Sequence, residues 1–187
     1  ESMFASATAF SRSLCWDLPS GATTTDMFTG SSGSISAYAS GPTPCPATSA
    51  LVALYESTGG SSSWATKPNW MAGDPCTNSW YGVTCADDHA NYYDAVDSVV
   101  TRLMLEDNSL HGTLPSELGW LTAMTSHLVL ADNLLSGTLP SQLGNLGESA
   151  PSTFQNVFWV NSNQLTGPVP TQLGRFTAMT RQLYLFE

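Results

Sequence analysis

The side chains that most often carry out catalysis are few in this chain and do not form sets. The three histidines, His89, His111 and His127, are spaced unlike the metal ligands of an H-E-x-x-H helix. No G-x-S-x-G sequence presents a serine as a hydrolase nucleophile, and no glycine-rich phosphate loop occurs. We therefore expect no enzyme activity, no cofactor and no metal site, with His111 and His127 in structural positions at the surface.

Four aspartates between residues 87 and 97 form the one acidic concentration: Asp87, Asp88, Asp94 and Asp97. Oxygen ligands suit calcium, but the D-x-D-x-D-G register of calcium loops is missing, so a solvated loop is the favoured interpretation and calcium the alternative. A pair of carboxylates placed for glycoside hydrolysis is also compatible with the sequence. Nothing in the neighbouring sequence indicates a sugar cleft, so we expect no such activity.

The composition excludes two large classes of function. The 187 residues include 15 acidic and 5 basic side chains, a formal net charge of −10, together with 25 serines and 21 threonines. Lys67 and four scattered arginines provide no basic face that could neutralise a run of phosphates, which excludes nucleic acid as a partner. Unbroken apolar runs such as 51–54 and 128–131 are far shorter than the roughly 20 residues that span a bilayer.

A repeated sequence fills the second half of the chain. From residue 103 it reads LMLEDNSLHGTLPSELGWLTAMTSH, then LVLADNLLSGTLPSQLGNLGESAPSTFQNV, then FWVNSNQLTGPVPTQLGRFTAMTRQ, then LYLFE. Asn108, Asn133 and Asn163 mark successive offsets of 25 and 30 residues, and the last fragment restores 25. The second repeat therefore carries five extra residues, which we place within 147–156.

Each L-x-L triplet predicts a short strand whose outer two side chains point into a core and whose middle side chain points out. The asparagine that follows can bond backbone groups left unpaired where the strand ends, so Asn108, Asn133 and Asn163 should form a structural ladder. The recurring Gly and Pro then turn the chain. The pattern predicts an α/β solenoid with short parallel strands on its concave side and turns or 3-10 segments on its convex side.

The repeat resembles the plant-type leucine-rich repeat (LRR), LxLxxNxLxGxxPxxLGxL, over about residues 96–187. Its period of 25 is one residue longer than the usual plant period, and the wording LTAMTSxLxL is similar to LRR proteins of microalgae. The resemblance implies an LRR solenoid that recognises a protein partner and works outside the cytosol. Receptor ectodomains, wall-enzyme inhibitors and assembly subunits all use this kind of module.

The segment before the repeats predicts a helix followed by a compact end piece. Thr48 or Ser49 is a suitable N-cap, and the glycine pair at 59–60 a suitable end. The apolar face of this helix would consist of Leu51, Leu54 and Tyr55.

The tryptophans and cysteines that follow resemble the N-terminal cap of extracellular LRR proteins; they are Trp64, Trp70, Trp80, Cys76 and Cys85. The resemblance implies a disulfide between Cys76 and Cys85, with Trp80 packed over the core. A solenoid needs a cap, because its first repeat would otherwise expose an apolar cross-section.

The first 47 residues form an arm rich in Ser, Thr, Ala, Gly and Pro. Its composition is typical of a flexible linker, but it contains more aromatics than a solvated tail, namely Phe4, Phe10, Trp16, Phe28 and Tyr38. If Cys76 pairs with Cys85, a second disulfide between Cys15 and Cys45 remains, although free thiols or an intermolecular bond are alternatives. We expect the arm to dock against a second subunit.

Three regions follow from these patterns: the arm at 1–47, the cap at 48–95 and the repeats at 96–187. The chain starts at Glu1 without an initiator Met, as in a processed or trimmed protein, and stops within a strand-like alternation. We expect the solenoid to continue beyond residue 187.

Paired cysteines in an acidic, lysine-poor chain favour an oxidising compartment, with the cell exterior as the family's usual place. None of the nine asparagines lies in an N-x-Ser/Thr sequon, although Ser and Thr are abundant. An organellar lumen, such as that of a photosynthetic membrane, or a periplasm is therefore an alternative.

The concave side is the surface from which a function can be predicted. The middle residues of the four triplets, Met104, Val129, Trp159 and Tyr184, should stack side by side as an apolar column with an aromatic centre. Such a patch on solvent-facing strand positions indicates a binding site. Two flanking columns consist of residues two positions before and two positions after these middle residues. The candidate contact residues from the three columns are Arg102, Met104, Glu106, His127, Val129, Val157, Trp159, Asn161, Tyr184 and Phe186. Coverage of the face by the arm or by later repeats, and a surface without a role, are alternatives.

These observations predict a non-enzymatic interaction or scaffold protein. It would bind a protein partner through a nearly uncharged concave face, by apolar and aromatic contacts, and the arm would suit an accessory subunit of a larger complex. The alternative is the N-terminal recognition region of a longer receptor, wall-enzyme inhibitor or carbohydrate-active protein whose active domain lies beyond residue 187.

Overall fold

The computed structural model describes residues 13–16, 34–37, 46–86, 99–148, 157–177, 179 and 181–186. The chain forms two compact units, one from Glu1–Cys45 and Asp87–Ser98, the other from Pro46–Ala86 and Val99–Glu187. In the first unit, strands β1 (Ser13–Trp16) and β2 (Ser34–Ala37) pair in parallel, with Ser13 opposite Ser34. The predictions for the four aspartates, for His89, for a Cys15–Cys45 bond and for most of the insertion lie outside the described residues.

The second unit begins with helix α1, Pro46–Ser57. The helix starts before Thr48 and Ser49, so the predicted N-cap is wrong: the fixed φ of Pro46 suits the first turn of a helix, and the helix begins there. The predicted end is close to the observed one, because Gly59 takes a left-handed φ of +75° just after the last turn. Leu51 and Leu54 are fully buried.

Short strands make up the rest of this unit. They are β3 (Val83–Cys85), β4 (Val100–Met104), β5 (His111–Thr113), β6 (His127–Val129), β7 (Leu134–Gly137), β8 (Val157–Trp159), β9 (Gln164–Leu165) and β10 (Gln182–Tyr184). Strands β10, β8, β6 and β4 form a parallel sheet in that order, and β3 adds to β4 in the antiparallel direction.

The register of this five-stranded sheet follows the sequence repeat. Leu103 lies opposite Leu128, Leu128 opposite Phe158, and Phe158 opposite Leu183, and the first three side chains are fully buried. The five-residue insertion falls between residues 145 and 157, since the offset between equivalent positions is still 25 at the 3-10 segments and is 30 at β8.

The return side of each repeat contains a second sheet as well as 3-10 turns. Strands β5, β7 and β9 pair in parallel, and the 3-10 segments are Ser116–Trp120, Ser141–Asn145 and Thr171–Arg175. A proline in extended conformation precedes each 3-10 segment. The sequence predicted the turns and the 3-10 segments but not this second sheet.

Asparagine side chains tie consecutive repeats together. Asn133 Oδ1 accepts hydrogen bonds from the backbone N–H groups of Asn108 and Leu110, at 3.1 and 2.9 Å. Its Nδ2 donates to three backbone carbonyls, those of Leu105, Leu130 and Ala131. Asn163 makes four of the five equivalent bonds between the second and third repeats. The N–H of Asn133 donates to the backbone oxygen of Ser162 instead. Asn108 bonds both backbone groups of Thr66 and so joins the first repeat to the segment before it.

Residues 46–86, here called the N-terminal module, pack around three tryptophans. Trp64 and Trp70 meet edge to face at 4.7 Å between ring centroids, and Trp80 lies 4.9 Å from Trp70 and is only 2% exposed. Each indole N–H donates to a backbone carbonyl. A disulfide joins Cys76 to Cys85, with 5.8 Å between the Cα atoms. Within the described part of the chain, no helix has both the length and the apolar character needed to cross a bilayer.

Candidate functional site

The concave face consists of the positions of the five-stranded sheet whose side chains point away from the leucine core. The sheet register places Met104 opposite Val129, Val129 opposite Trp159, and Trp159 opposite Tyr184. The middle residues of the four triplets therefore form one continuous column across the strands. This column is the floor of the candidate site.

Exposure varies strongly along the column. Val129 is only 1% exposed because the larger Met104 and Trp159 stand on either side of it, and it serves as the floor rather than as a projecting contact. Val157 is also buried, at 5% exposed. Tyr184, on the strand at the far end of the sheet, is 47% exposed. Met104 and Trp159 are both half-buried, so the surface available to a partner includes parts of β4, β8 and β10.

Two aromatic rings form the centre of that surface. Trp159 and Tyr184 stack with 5.6 Å between ring centroids and 20° between ring planes. The Nε1 atom of Trp159 is buried, yet no described residue accepts its hydrogen bond. A buried donor without a partner costs about 1–3 kcal/mol relative to one that is paired. The indole N–H thus lies beneath the surface of the face, without a partner among the described residues.

Three residues of the column, Met104, Val129 and Trp159, line an open groove of about 690 Å³, and Tyr184 is not among its lining residues. The lining residues are Met104, Glu106, His127, Val129, Val157, Trp159, Arg181 and Gln182. Six of these were candidate contacts from the sequence. Arg181 was not, because it precedes the first residue of β10, where the alternation of a strand does not yet determine the direction of a side chain.

One border of the groove is basic. The pKa of His127 lies below its ordinary value of 6.5, first because the ring is partly buried, then because of the positive charge of Arg102, and then because of that of Arg181. Ser126 Oγ and His127 Nδ1 are hydrogen-bonded, which fixes the ring. His127 is accordingly neutral at pH 7. The prediction of a nearly uncharged face does not describe this border, since two of the five basic residues of the chain act there.

The opposite border holds the other flanking column. Glu106 is exposed and lines the groove, and Phe186, farther along the face, is 51% exposed. Asn161 is half-buried, and its Nδ2 donates to Ser162 Oγ at 3.2 Å. Its Oδ1 is buried and accepts no hydrogen bond from any described residue. The face as a whole combines an apolar floor, an aromatic stack, charged borders and two unpaired polar atoms.

Among the described residues, no three His, Cys, Asp or Glu side chains stand close enough to hold a metal ion. His111 is exposed on β5, in the other sheet. The groove contains a histidine and a carboxylate, His127 and Glu106, and its lining residues include no Ser, Thr, Cys, Lys or Tyr.

The sequence profile of the Leucine Rich Repeat family matches residues 125–146, which include β6, β7 and the second 3-10 segment. Together with the parallel register and the 3-10 turns, this match decides the architecture. The fold is a leucine-rich repeat solenoid. No curated protein matches the chain significantly in sequence.

Solved structures share the solenoid. The crystal structure of PEPR1-AtPEP1 is 23% identical with a TM-score of 0.54, covering 75% of this chain and 18% of that one. The LRR ectodomain of the receptor kinase SOBIR1 from Arabidopsis thaliana is 22% identical with a TM-score of 0.52, covering 74% and 64%. A plant ice-binding protein is 22% identical with a TM-score of 0.52, covering 74% and 39%. The chain spans less than two thirds of each of these relatives, and at this identity the likeness concerns the fold.

Proposed function

We propose that this protein is a non-enzymatic interaction module whose concave face binds a protein partner. The observation that carries the proposal is the stacked pair of Trp159 and Tyr184, which continues the apolar floor formed by Met104 and Val129. Aromatic residues dominate the binding energy of protein interfaces, particularly where they are packed against one another and bordered by polar groups. The charged borders of the groove provide that setting.

The solenoid fold supports this proposal. Stacked repeats create an extended concave surface, and proteins of this architecture use it for binding. Of the similar solved structures, one bears the name of two components, PEPR1 and AtPEP1, and another is the ectodomain of the receptor kinase SOBIR1. We propose the same general use of the face here, with a partner of its own.

We also assign roles to the N-terminal module and to the arm. The N-terminal module acts as the cap of the solenoid, because β3 and the tryptophan cluster occupy the end of the sheet next to the first repeat. The arm at 1–47 docks against a second subunit, so that the protein works as an accessory subunit of a larger complex. The Cys76–Cys85 disulfide fits an extracellular or other oxidising compartment, which includes an organellar lumen.

The experiment that tests the proposal removes the stack. A partner is first identified by co-purification with the full chain, and its affinity is then measured with purified components. The double variant Trp159→Ala with Tyr184→Ala should weaken binding more than tenfold, because both rings are accessible and neither belongs to the leucine core. The melting temperature should change little.

A matched control is available at the first 3-10 segment, which lies outside the concave face. Trp120 is 49% exposed at the end of the first 3-10 segment, outside the groove, so Trp120→Ala removes a comparable ring from another surface. It should leave the affinity unchanged. If the double variant binds as tightly as the unaltered protein, or if Trp120→Ala weakens binding equally, the concave face is not the binding site.

A further inference from the structure

The two borders of the concave face carry opposite charges. Arg102 lies two positions before Met104 of the apolar column and Glu106 two positions after it, so their side chains stand on the same face of the sheet, one on each side of the column. At the β10 end of the face, Arg181 stands on the basic border and Phe186, 51% exposed, on the opposite border. Each border therefore holds groups that suit the other one.

Such a face is complementary to a second copy of itself. In an interface with two-fold symmetry, a contact from residue i to residue j is repeated from j to i. A two-fold axis that runs along the column, across the strands, lays the basic border of each copy over the opposite border of the other. Arg102 then faces Glu106 of the second copy, twice in the dimer, and Arg181 faces the ring of Phe186, an aromatic surface that attracts cations.

The column lies on this axis, so each of its residues meets its own counterpart. Trp159 is half-buried and Tyr184 is 47% exposed, and these two stacked rings are the largest side chains of the column. They provide the apolar centre of the interface, where aromatic residues contribute most of the binding energy. The ion pairs lie at its rim, where charges contribute more to orientation than to affinity.

Charge distinguishes this arrangement from the other symmetric one. If the axis ran along the strands instead, each end of the basic border would lie over its other end in the second copy. Arg102 would then face Arg181, and Glu106 would face Phe186 rather than a cation. Like charges placed opposite each other oppose association, so the axis along the column is favoured.

On the basis of the proposed function, we infer that the partner of the concave face is a second copy of this chain, bound face to face about an axis along the column. Five strands about 4.8 Å apart, and the positions from 102 to 106 along them, give each copy a face of roughly 400 Å². The total of about 800 Å² is the size of a weak, reversible interface. Monomer and dimer therefore exchange, and the dimer forms at high protein concentration.

Sedimentation equilibrium of the full chain at physiological ionic strength, over micromolar to millimolar concentrations, tests this inference. The unaltered protein should show a reversible monomer–dimer equilibrium. Glu106→Arg and Arg102→Glu should each weaken it roughly tenfold or more, because like charges then face each other at two places. An equimolar mixture of the two variants should associate as the unaltered protein does, since every cation again faces a carboxylate.

Two substitutions away from the face are matched controls for the change in net charge. Glu56→Arg alters an exposed residue of α1, and Arg175→Glu an exposed residue of the third 3-10 segment. Both should leave the equilibrium unchanged. Recovery in the mixture also shows that each single variant is folded, because an unfolded chain cannot restore the interface.

The outcomes separate this inference from the proposed function. A chain that stays monomeric at every concentration, single variants that still dimerise, or a mixture that does not recover overturns the inference. Self-association that survives Trp159→Ala with Tyr184→Ala uses another surface and overturns it as well. If the chain is monomeric but a co-purified partner is lost in the aromatic variant, the inference is wrong and the proposed function stands. If self-association and partner binding are both insensitive to that variant, the proposed function itself fails.

Discussion

A single tryptophan gives this repeat array a distinctive surface. Residue 159 is the middle residue of a triplet, as are Met104 and Val129, and at those positions an aliphatic side chain is sufficient for the strand. Trp159 adds a ring that stacks on Tyr184 and an N–H group left without a partner among the described residues. The ring does not belong to the buried core cluster, which is why we connect it with binding.

The asparagine ladder can be tested at a single residue. Asn133 is 6% exposed and makes five hydrogen bonds to backbone groups of two repeats. Asn133→Ala leaves three of those groups unpaired among the described residues, namely the N–H groups of Asn108 and Leu110 and the C=O of Leu105. The carbonyls of Leu130 and Ala131 keep their bonds to Asn163 Nδ2 and to the N–H of Asp107. Since each unpaired group costs about 1–3 kcal/mol, we expect a loss of at least about 3 kcal/mol in the free energy of unfolding. Urea denaturation followed by circular dichroism measures it.

Asn161→Ala is the control for this change. Asn161 is half-buried on the concave face, and the one side-chain bond described for it is that to Ser162 Oγ. It should cost less than about 1 kcal/mol. Equal losses for the two variants would contradict a structural role specific to the ladder.

At the scale of elements, the strands of the five-stranded sheet were predictable and the second sheet was not. In each L-x-L triplet, one buried side chain precedes and one follows the middle side chain, which points outward. This alternation determines both the strand and its register. Strand β5, by contrast, reads His111-Gly112-Thr113, without alternation of apolar side chains, and its glycine has a φ of +98°. Pairing with β7 decides its conformation, and a local pattern does not contain that information.

The groove was predictable in part for the same reason. Its floor follows from the strand register, so Met104, Val129 and Trp159 could be placed from the sequence. Arg181 lies ahead of its strand, and the attraction of the basic border depends on where its flexible side chain reaches in three dimensions. The buried, unpaired state of Trp159 Nε1 likewise depends on packing and not on spacing.

The stacking of the 3-10 segments leads to a prediction about glycine. A Cβ atom at Gly144 would lie 2.4 Å from the backbone oxygen of Gln172 in the next repeat, so only glycine allows the repeats to approach this closely. Gly144→Ala should destabilise the protein by about 1–3 kcal/mol through forced separation of the two segments. The midpoint of urea unfolding would show this as a shift to lower concentration.

Gly174→Ala is the internal control, since nothing lies within 4 Å of a Cβ atom at this equivalent position in the third repeat. In the 187-residue chain it should be neutral, or slightly stabilising because alanine restricts the unfolded chain. If both variants lose the same stability, the conformation of the 3-10 segment matters and the contact between repeats does not.

At the scale of the whole molecule, the net charge and the groove act on a partner over different distances. A charge of −10 produces a field that is felt until salt screens it, over about 10 Å at 0.1 M ionic strength. The basic border formed by Arg102 and Arg181 acts only on a group already close to it. For an acidic partner, the field of the whole molecule is therefore repulsive during approach, whereas the border is attractive at contact.

This opposition predicts an unusual effect of salt on the kinetics of binding. As the NaCl concentration rises, the association rate constant should increase, because screening removes the long-range repulsion, and the dissociation rate constant should also increase, because it weakens the contacts with the arginines. Surface plasmon resonance at low and high salt measures both constants. In the Arg102→Gln, Arg181→Gln variant, the association rate constant should still increase with salt. The dissociation rate constant of this variant should no longer depend on salt. An association rate constant that falls with salt would mean instead that the basic border steers the partner from a distance and outweighs the charge of the whole molecule.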